Sequence, residues 1–263
     1  MSVVRIPLPD LALWTGGDRV VLAESTPLPG TDALCVRHGP VWAVAFARPT
    51  YTHGTNLMLH GDDDSGQLVS PAVVAALEEL VSSASFAGWL AHQRTKGVDA
   101  VSLPRTAAHI GGLLPQPQGL WEWMWTTTPP AAHPPHGTVE LVEEDRGALQ
   151  ALLDAHNPGT DGQPFARPGQ RWVGVRDVDG DLLAVGCCEP ERSGTPVLSG
   201  ITVVPAARGR GLGRMVTADL TRVAIGTHGW CTLGMYSVND TARRLYHSLG
   251  YETGAVWSSG ALG

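Results

Sequence analysis

Lysine is almost absent from this chain of 263 residues: Lys96 is the only one, and the other seventeen basic residues are arginines. That bias is compositional and points to no activity by itself. Long apolar runs are also absent. No stretch reaches the ~18 apolar residues that suggest a membrane span, and the N-terminus, MSVVRIPLPD, has neither an h-region nor a cleavage site. The four cysteines, Cys35, Cys187, Cys188 and Cys231, include no CxxC pair. A zinc framework is therefore not suggested, no metal is expected, and buried free thiols in a cytoplasmic protein are. Charge is sparse, at 16% against 43% hydrophobic residues, which suits a folded chain long enough for two domains. A net charge of −7 and a pI near 5.8 argue against general nucleic-acid binding.

Against this background one stretch stands out, Leu198 to Arg214, LSGITVVPAARGRGLGR. Its β-branched and apolar first part reads as a strand, and Pro205 stops it by lacking an N–H. Gly209, Gly211 and Gly213 follow. Then Leu212, Met215, Val216, Leu220 and Val223 recur at helical spacing. A strand, a glycine-rich turn and a helix N-terminus together suit an anion, because free N–H groups point outward and no Cβ blocks the approach. Arg208, Arg210 and Arg214 add positive charge with no acidic residue among them. A P-loop is excluded, since Arg214-Met215 stands where Lys-Ser/Thr would be needed. A dinucleotide fingerprint is excluded by the glycine spacing.

Val203-Val204-Pro205 followed by Arg208, Gly211 and Gly213 resembles the acetyl-CoA signature of the GNAT N-acetyltransferases, R/Q-x-x-G-x-G/A after a V-x-P strand end. Farther on, Asn239, Ala242, Leu245, Tyr246, Leu249, Gly250 and Tyr251 fill every position of that family's second pattern, N-x-x-A-x-x-L/F-Y-x-x-L/M-G-F/Y. The resemblance covers roughly Thr138 to the C-terminus. It implies an α/β fold with a mixed (α+β) sheet and a GNAT fold in the C-terminal domain.

The first half carries no such motif. Short strands are expected at Val3–Pro7, Val20–Glu24, Val41–Phe46, Asn56–His60 and Val98–Leu103. Ser70 should cap a helix from Pro71, with Val73, Ala76, Leu77, Leu80 and Val81 on its apolar face. That order suggests a degenerate GNAT-like copy without a cofactor site over residues 1–128. A proline-rich linker, 129–136, then leads to an acetyl-CoA-binding domain over 137–263. Within Leu120-Trp-Glu-Trp-Met-Trp-Thr126, the alternating Trp121, Trp123 and Trp125 read either as an aromatic plug or as an acceptor wall.

The chemistry implied by the resemblance is direct transfer of an acetyl group from acetyl-CoA to an amine within a ternary complex. Gly200 to Val203 would pair with the pantetheine arm, with Ile201, Thr202 and Val203 at the cofactor. Arg208, Gly209, Arg210, Gly211, Leu212, Gly213 and Arg214 would cradle the phosphates, Asn239 would hydrogen-bond the cofactor arm, Ala242 and Tyr246 would also touch the cofactor, and Arg243 and Arg244 would meet the CoA 3′-phosphate or stay solvated. Tyr246 matches the family's tyrosine that donates a proton to the leaving thiolate. The chain departs from the family in one respect: Leu198 to Val203 contain no carboxylate to take the amine's proton. Glu189 and Glu122 are candidates only at a distance. The expected acceptor is a small-molecule amine, with a protein or peptide amine, or a non-catalytic acyl-CoA-binding module, as alternatives. No nucleic acid or membrane partner is expected, and the oligomeric state is open between monomer and homodimer.

Overall fold

A computed structural model describes residues 3–28, 30–131 and 137–263. Most of the expected linker, residues 132–136, lies outside the described residues. The chain divides into two compact units. Unit 1 comprises residues 1–123, 236–238 and 253–263; unit 2 comprises 124–235 and 239–252.

Unit 1 opens with strand β1 (Val4–Pro7) and helices α1 (Leu8–Trp14) and α2 (Arg19–Glu24). Strands β2 (Asp32–His38), β3 (Val41–Pro49) and β4 (Thr55–Asp62) form an antiparallel meander. Helices α3 (Pro71–Ser82) and α4 (Ala84–Thr95) then lead to β5 (Val98–Pro104), which pairs parallel to β4. Val73, Ala76, Leu77 and Leu80 are buried on α3, as their spacing predicts. They pack with Leu57, Leu59, Trp89 and Val101 in one core. Val20–Glu24, expected as a strand, is helical instead. Asp18 caps it, accepting from the Val21 N–H at 2.8 Å, and this local bond outweighs the β preference of two adjacent valines.

Unit 2 repeats the order. Strand β7 (Val139–Glu140) precedes α5 (Arg146–His156), and β8 (Arg171–Arg176), β9 (Leu182–Pro190) and β10 (Pro196–Val203) form the second antiparallel meander. Helix α6 (Leu212–His228) then crosses to β11 (Cys231–Tyr236), parallel to β10, and α7 (Asp240–Ser248) follows. Val216 and Leu220 of α6 are buried, but Val223 is 40% exposed. Thr217 and Thr221 take the buried face instead, and their hydroxyls are satisfied by the carbonyls of Gly213 and Thr217.

The tryptophan-rich strand is β6 (Gly119–Thr126). Trp121 stacks 4.4 Å from Trp257 and donates to Ser259 Oγ at 2.6 Å, while Trp123 is buried. Their neighbour is the closing strand β12 (Glu252–Ala261). The sequence reading places this strand in the second domain. It instead pairs antiparallel with β5 in unit 1, Trp257 opposite Pro104 through Ala261 opposite Ala100. A strand pattern sets which face is apolar but not which edge it joins. All four cysteines are free, and Cys35, Cys187 and Cys231 are buried. No single helix among the described residues is long and apolar enough to cross a membrane.

Candidate acyl-donor site

The site begins where β10 leaves its ladder. It pairs with β11 at Val197 and Leu198, opposite Thr232 and Leu233. Its antiparallel register with β9 then shifts between Ser199 and Thr202. Gly200 makes the shift possible. Its φ is +64°, and a Cβ there would lie 2.8 Å from the Trp172 ring. Gly162 of the long loop between α5 and β8 packs on the same point, 3.1 Å from Gly200 Cα for an added Cβ. The pairing with β11 does not continue past Leu198, while Thr202 and Val203 stay paired with Val185 and Ala184 of β9. A bulge that ends pairing and re-aims the strand is a common device beside functional sites.

A single helical turn, Pro205–Ala207, carries the chain to the glycine-arginine loop. Gly209 and Gly211 adopt φ of +77° and +79°, a region that favours glycine. Gly211 is the N-cap of α6 and supplies no side-chain cap. The first intrahelical bond is Met215 N–H to the Gly211 carbonyl at 3.0 Å. The backbone N–H groups of Gly209 through Arg214 therefore have no partner among the described residues, and they lie in succession. Arg208 and Arg210 donate only to nearby carbonyls, those of Val203 and Ala206, each at 3.3 Å. Arg214 donates to Ser248 Oγ at 2.5 Å. None of the three meets a carboxylate among the described residues. Unpaired amides at a helix start with uncompensated guanidinium groups form a nest for anionic oxygens. Gly213 serves another end: a Cβ there would press on Val203 at 3.3 Å, so its absence lets α6 sit close to β10.

Helix α7 brings the second motif to the same unit. Asn239 caps it through the Ala242 N–H at 3.0 Å, so its side-chain oxygen is spent structurally. Arg244 is exposed. Tyr246 is 7% exposed, with its ring centroid 6.0 Å from that of Tyr251. Its hydroxyl has no hydrogen-bond partner among the described residues. Burial pushes the phenol pKa up to about 12, so it keeps its proton at neutral pH and has one to give.

Glu189, a candidate base on the neighbouring strand β9, is fully engaged. Its Oε2 accepts from Arg167 Nε at 2.8 Å, Arg167 Nη2 at 2.5 Å and Gln170 Nε2 at 2.7 Å, and its Oε1 accepts from Ser199 Oγ at 2.7 Å. Thr202 Oγ1 is likewise held between the Gly200 carbonyl and Asn157 Nδ2, both at 3.0 Å. Glu189 is thus a staple that ties the 157–170 loop to β9 and β10. Sequence reasoning did not find this role. A glutamate in an otherwise apolar strand, with an arginine in the preceding loop, was the available signal. No group of three His, Cys, Asp or Glu suited to a metal occurs among the described residues.

Residues 172–258 match the family model described as FR47-like protein. No curated protein matches the chain in sequence. Among solved structures, an acetyltransferase from the GNAT family of Colwellia psychrerythraea is similar over 100% of both chains at 14% identity, with a TM-score of 0.54. A GCN5-related N-acetyltransferase from Kribbella flavida is similar over 87% of this chain and 88% of its own, at 19% identity and a TM-score of 0.51. A GNAT-family protein from Novosphingobium aromaticivorans is 28% identical over 55% of this chain, with a TM-score of 0.49, and the match spans 64% of that protein's length. The whole-chain similarities establish the fold.

Proposed function

Because the chain has the GNAT fold and its second half carries the FR47-like segment, we propose that it transfers an acetyl group from acetyl-CoA to the amine of a small molecule. The observation that carries this reading is the run of unpaired amides from Gly209 to Arg214, which follows directly on the strand whose pairing with β11 stops at Leu198. Pyrophosphate oxygens would accept from those amides, with the arginines adding charge. The pantetheine arm would then lie along Ile201, Thr202 and Val203 as an added strand. The thioester would rest near the end of β10, where a backbone N–H at Val203 would stabilise the tetrahedral oxyanion. As the carbon–sulfur bond breaks, Tyr246 would give its proton to the departing thiolate.

The small-molecule amine as acceptor follows from the resemblance of the two motifs. The reading is tested by incubating the full chain with acetyl-CoA and a panel of small amines, while measuring free CoA thiol and acetylated product together. Thiol release that depends on the amine, one for one with product, is expected. Release at the same rate without any amine, or no release with any acceptor, contradicts it.

A further inference from the structure

Lys96, the chain's only lysine, closes the C-terminal end of α4 and meets no carboxylate among the described residues. It lies at a cavity of about 170 Å³ within unit 1, at the start of β4 and β5. Leu8, Leu28, Pro49 and Val98 give the cavity apolar walls. Gln93, one turn earlier on α4, lines it as well and is only 5% exposed. Neither end of its amide has a hydrogen-bond partner among the described residues. Thr26, at 7% exposure, lines the cavity with its hydroxyl in the same condition. The amide and the hydroxyl thus face the cavity, where only water or a ligand can meet them, and the exposed Lys96 stands at its edge.

The other polar groups nearby are already used. Asp32 accepts from Trp89 Nε1 at 2.7 Å and pairs with Arg5 at 3.3 Å. The last carbonyls of α4 are taken by its own end: the Lys96 N–H bonds Gln93 O at 2.9 Å and the Gly97 N–H bonds Arg94 O at 3.1 Å. The Thr31 hydroxyl donates to the Leu28 carbonyl, which leaves one ammonium, one amide and the hydroxyls of Thr26 and Thr55 beside an apolar wall.

We infer that this cavity binds a short-chain monocarboxylate. Lys96, the Gln93 amide N–H groups and the Thr26 hydroxyl hold the carboxylate, and the alkyl tail lies against Leu8, Leu28 and Val98. A cavity of ~150 Å³ accommodates a benzene-sized molecule, which sets the ligand near the size of isovalerate. The site is independent of the acyl-donor site in unit 2.

The single lysine supplies the test. Reductive methylation with ¹³C-formaldehyde labels Lys96 and the N-terminal amine in the intact chain and keeps the charge. Titration with sodium isovalerate, against sodium chloride as control, should shift the Lys96 methyl resonance to saturation. Isovaleramide, of the same shape without the charge, should bind about tenfold more weakly or worse, because hydrogen bonds to a charged group are the stronger ones. Gln93→Leu should raise the isovalerate Kd by about tenfold or more on the same grounds. Thr26→Val serves in its place if the first variant does not fold. A shift that grows linearly with salt, or an unchanged Kd in the folded variant, overturns the proposal.

Discussion

The two units place the same turn at the same point of the same strand order and fill it with opposite chemistry. In unit 1, β4 runs into Asp62-Asp63-Asp64 and then α3. Ser70 caps that helix by accepting from the Val73 N–H, and Pro71 removes another donor. Asp63 accepts from the Ser65 N–H at 2.9 Å and from the Ser70 hydroxyl. Hydrogen bonds from Ser65 and Ser70 hold its carboxyl below the usual range. In unit 2, β10 runs into Arg208-Gly-Arg-Gly-Leu-Gly-Arg214 and an uncapped α6. A helix start offers free amides in either case. In unit 1 Ser70 takes the Val73 N–H, Pro71 has none to offer and three aspartates precede the helix, while glycines in unit 2 leave the amides open among arginines. The fold provides the position, and a few residues decide whether it can take an anion.

The largest expected effect sharpens the unit 2 side of that contrast. Tyr246→Phe should lower kcat by ~10²–10⁴-fold, the usual worth of a general acid. The acetyl-CoA Kd should stay nearly unchanged, since the proton is needed only in the transition state. Stopped-flow or steady-state kinetics with chemistry rate-limiting will measure it, and an unchanged kcat removes Tyr246 from the mechanism. The same phenol carries a pH signature. Its folded pKa lies above the unfolded value of 10.0, so any stability it confers by staying protonated is whole below pH ~10 and is lost as the pH climbs from there toward ~12. Urea midpoints recorded from pH 8 to 11 should fall less steeply at the alkaline end in Tyr246→Phe than in the parent.

Unit 1 is tested by its core. Trp257 is fully buried against Trp121 and lies on the strand the chain adds last. Trp257→Ala should cost ~3–5 kcal/mol, as for other large-to-small core changes. Calorimetric unfolding should show this as a lowered Tm, whereas an unchanged Tm would mean that β12 contributes little to unit 1. A smaller effect separates the two helix starts. Ser70→Ala should cost ~1 kcal/mol through the lost cap, read from the urea midpoint. It should not create acetyl-CoA binding, because the three aspartates remain.

Much of this contrast is legible in the sequence because it is local. The Ser70-Pro71 cap, the glycine-arginine loop and the Asn239 cap are each written within a few residues. What is not legible depends on partners far along the chain. That β12 joins β5 is a pairing between residues roughly 150 positions apart, and alternation alone does not select an edge. The Glu189 staple needs Arg167 and Gln170 folded back from a loop. Helix α2 reads as a strand because two valines outweigh one aspartate in any propensity count. The bulge at Gly200 shows why a glycine interrupts an otherwise β-branched run, but only once Trp172 is seen beneath it.

The central claim is that the open amides of unit 2 hold the phosphates of the acyl donor and that unit 1 has no equivalent site. Isothermal titration of the full chain with acetyl-CoA tests it most directly, alongside Gly211→Val. Gly211 has open space around it, so the substitution acts through its φ of +79°, a conformation that costs a β-branched residue on the order of 1–3 kcal/mol. The account predicts one acetyl-CoA bound per chain and an affinity roughly 10- to 100-fold weaker in the variant. Two equivalents bound per chain, or a Gly211→Val chain that binds as tightly as the parent, would contradict it.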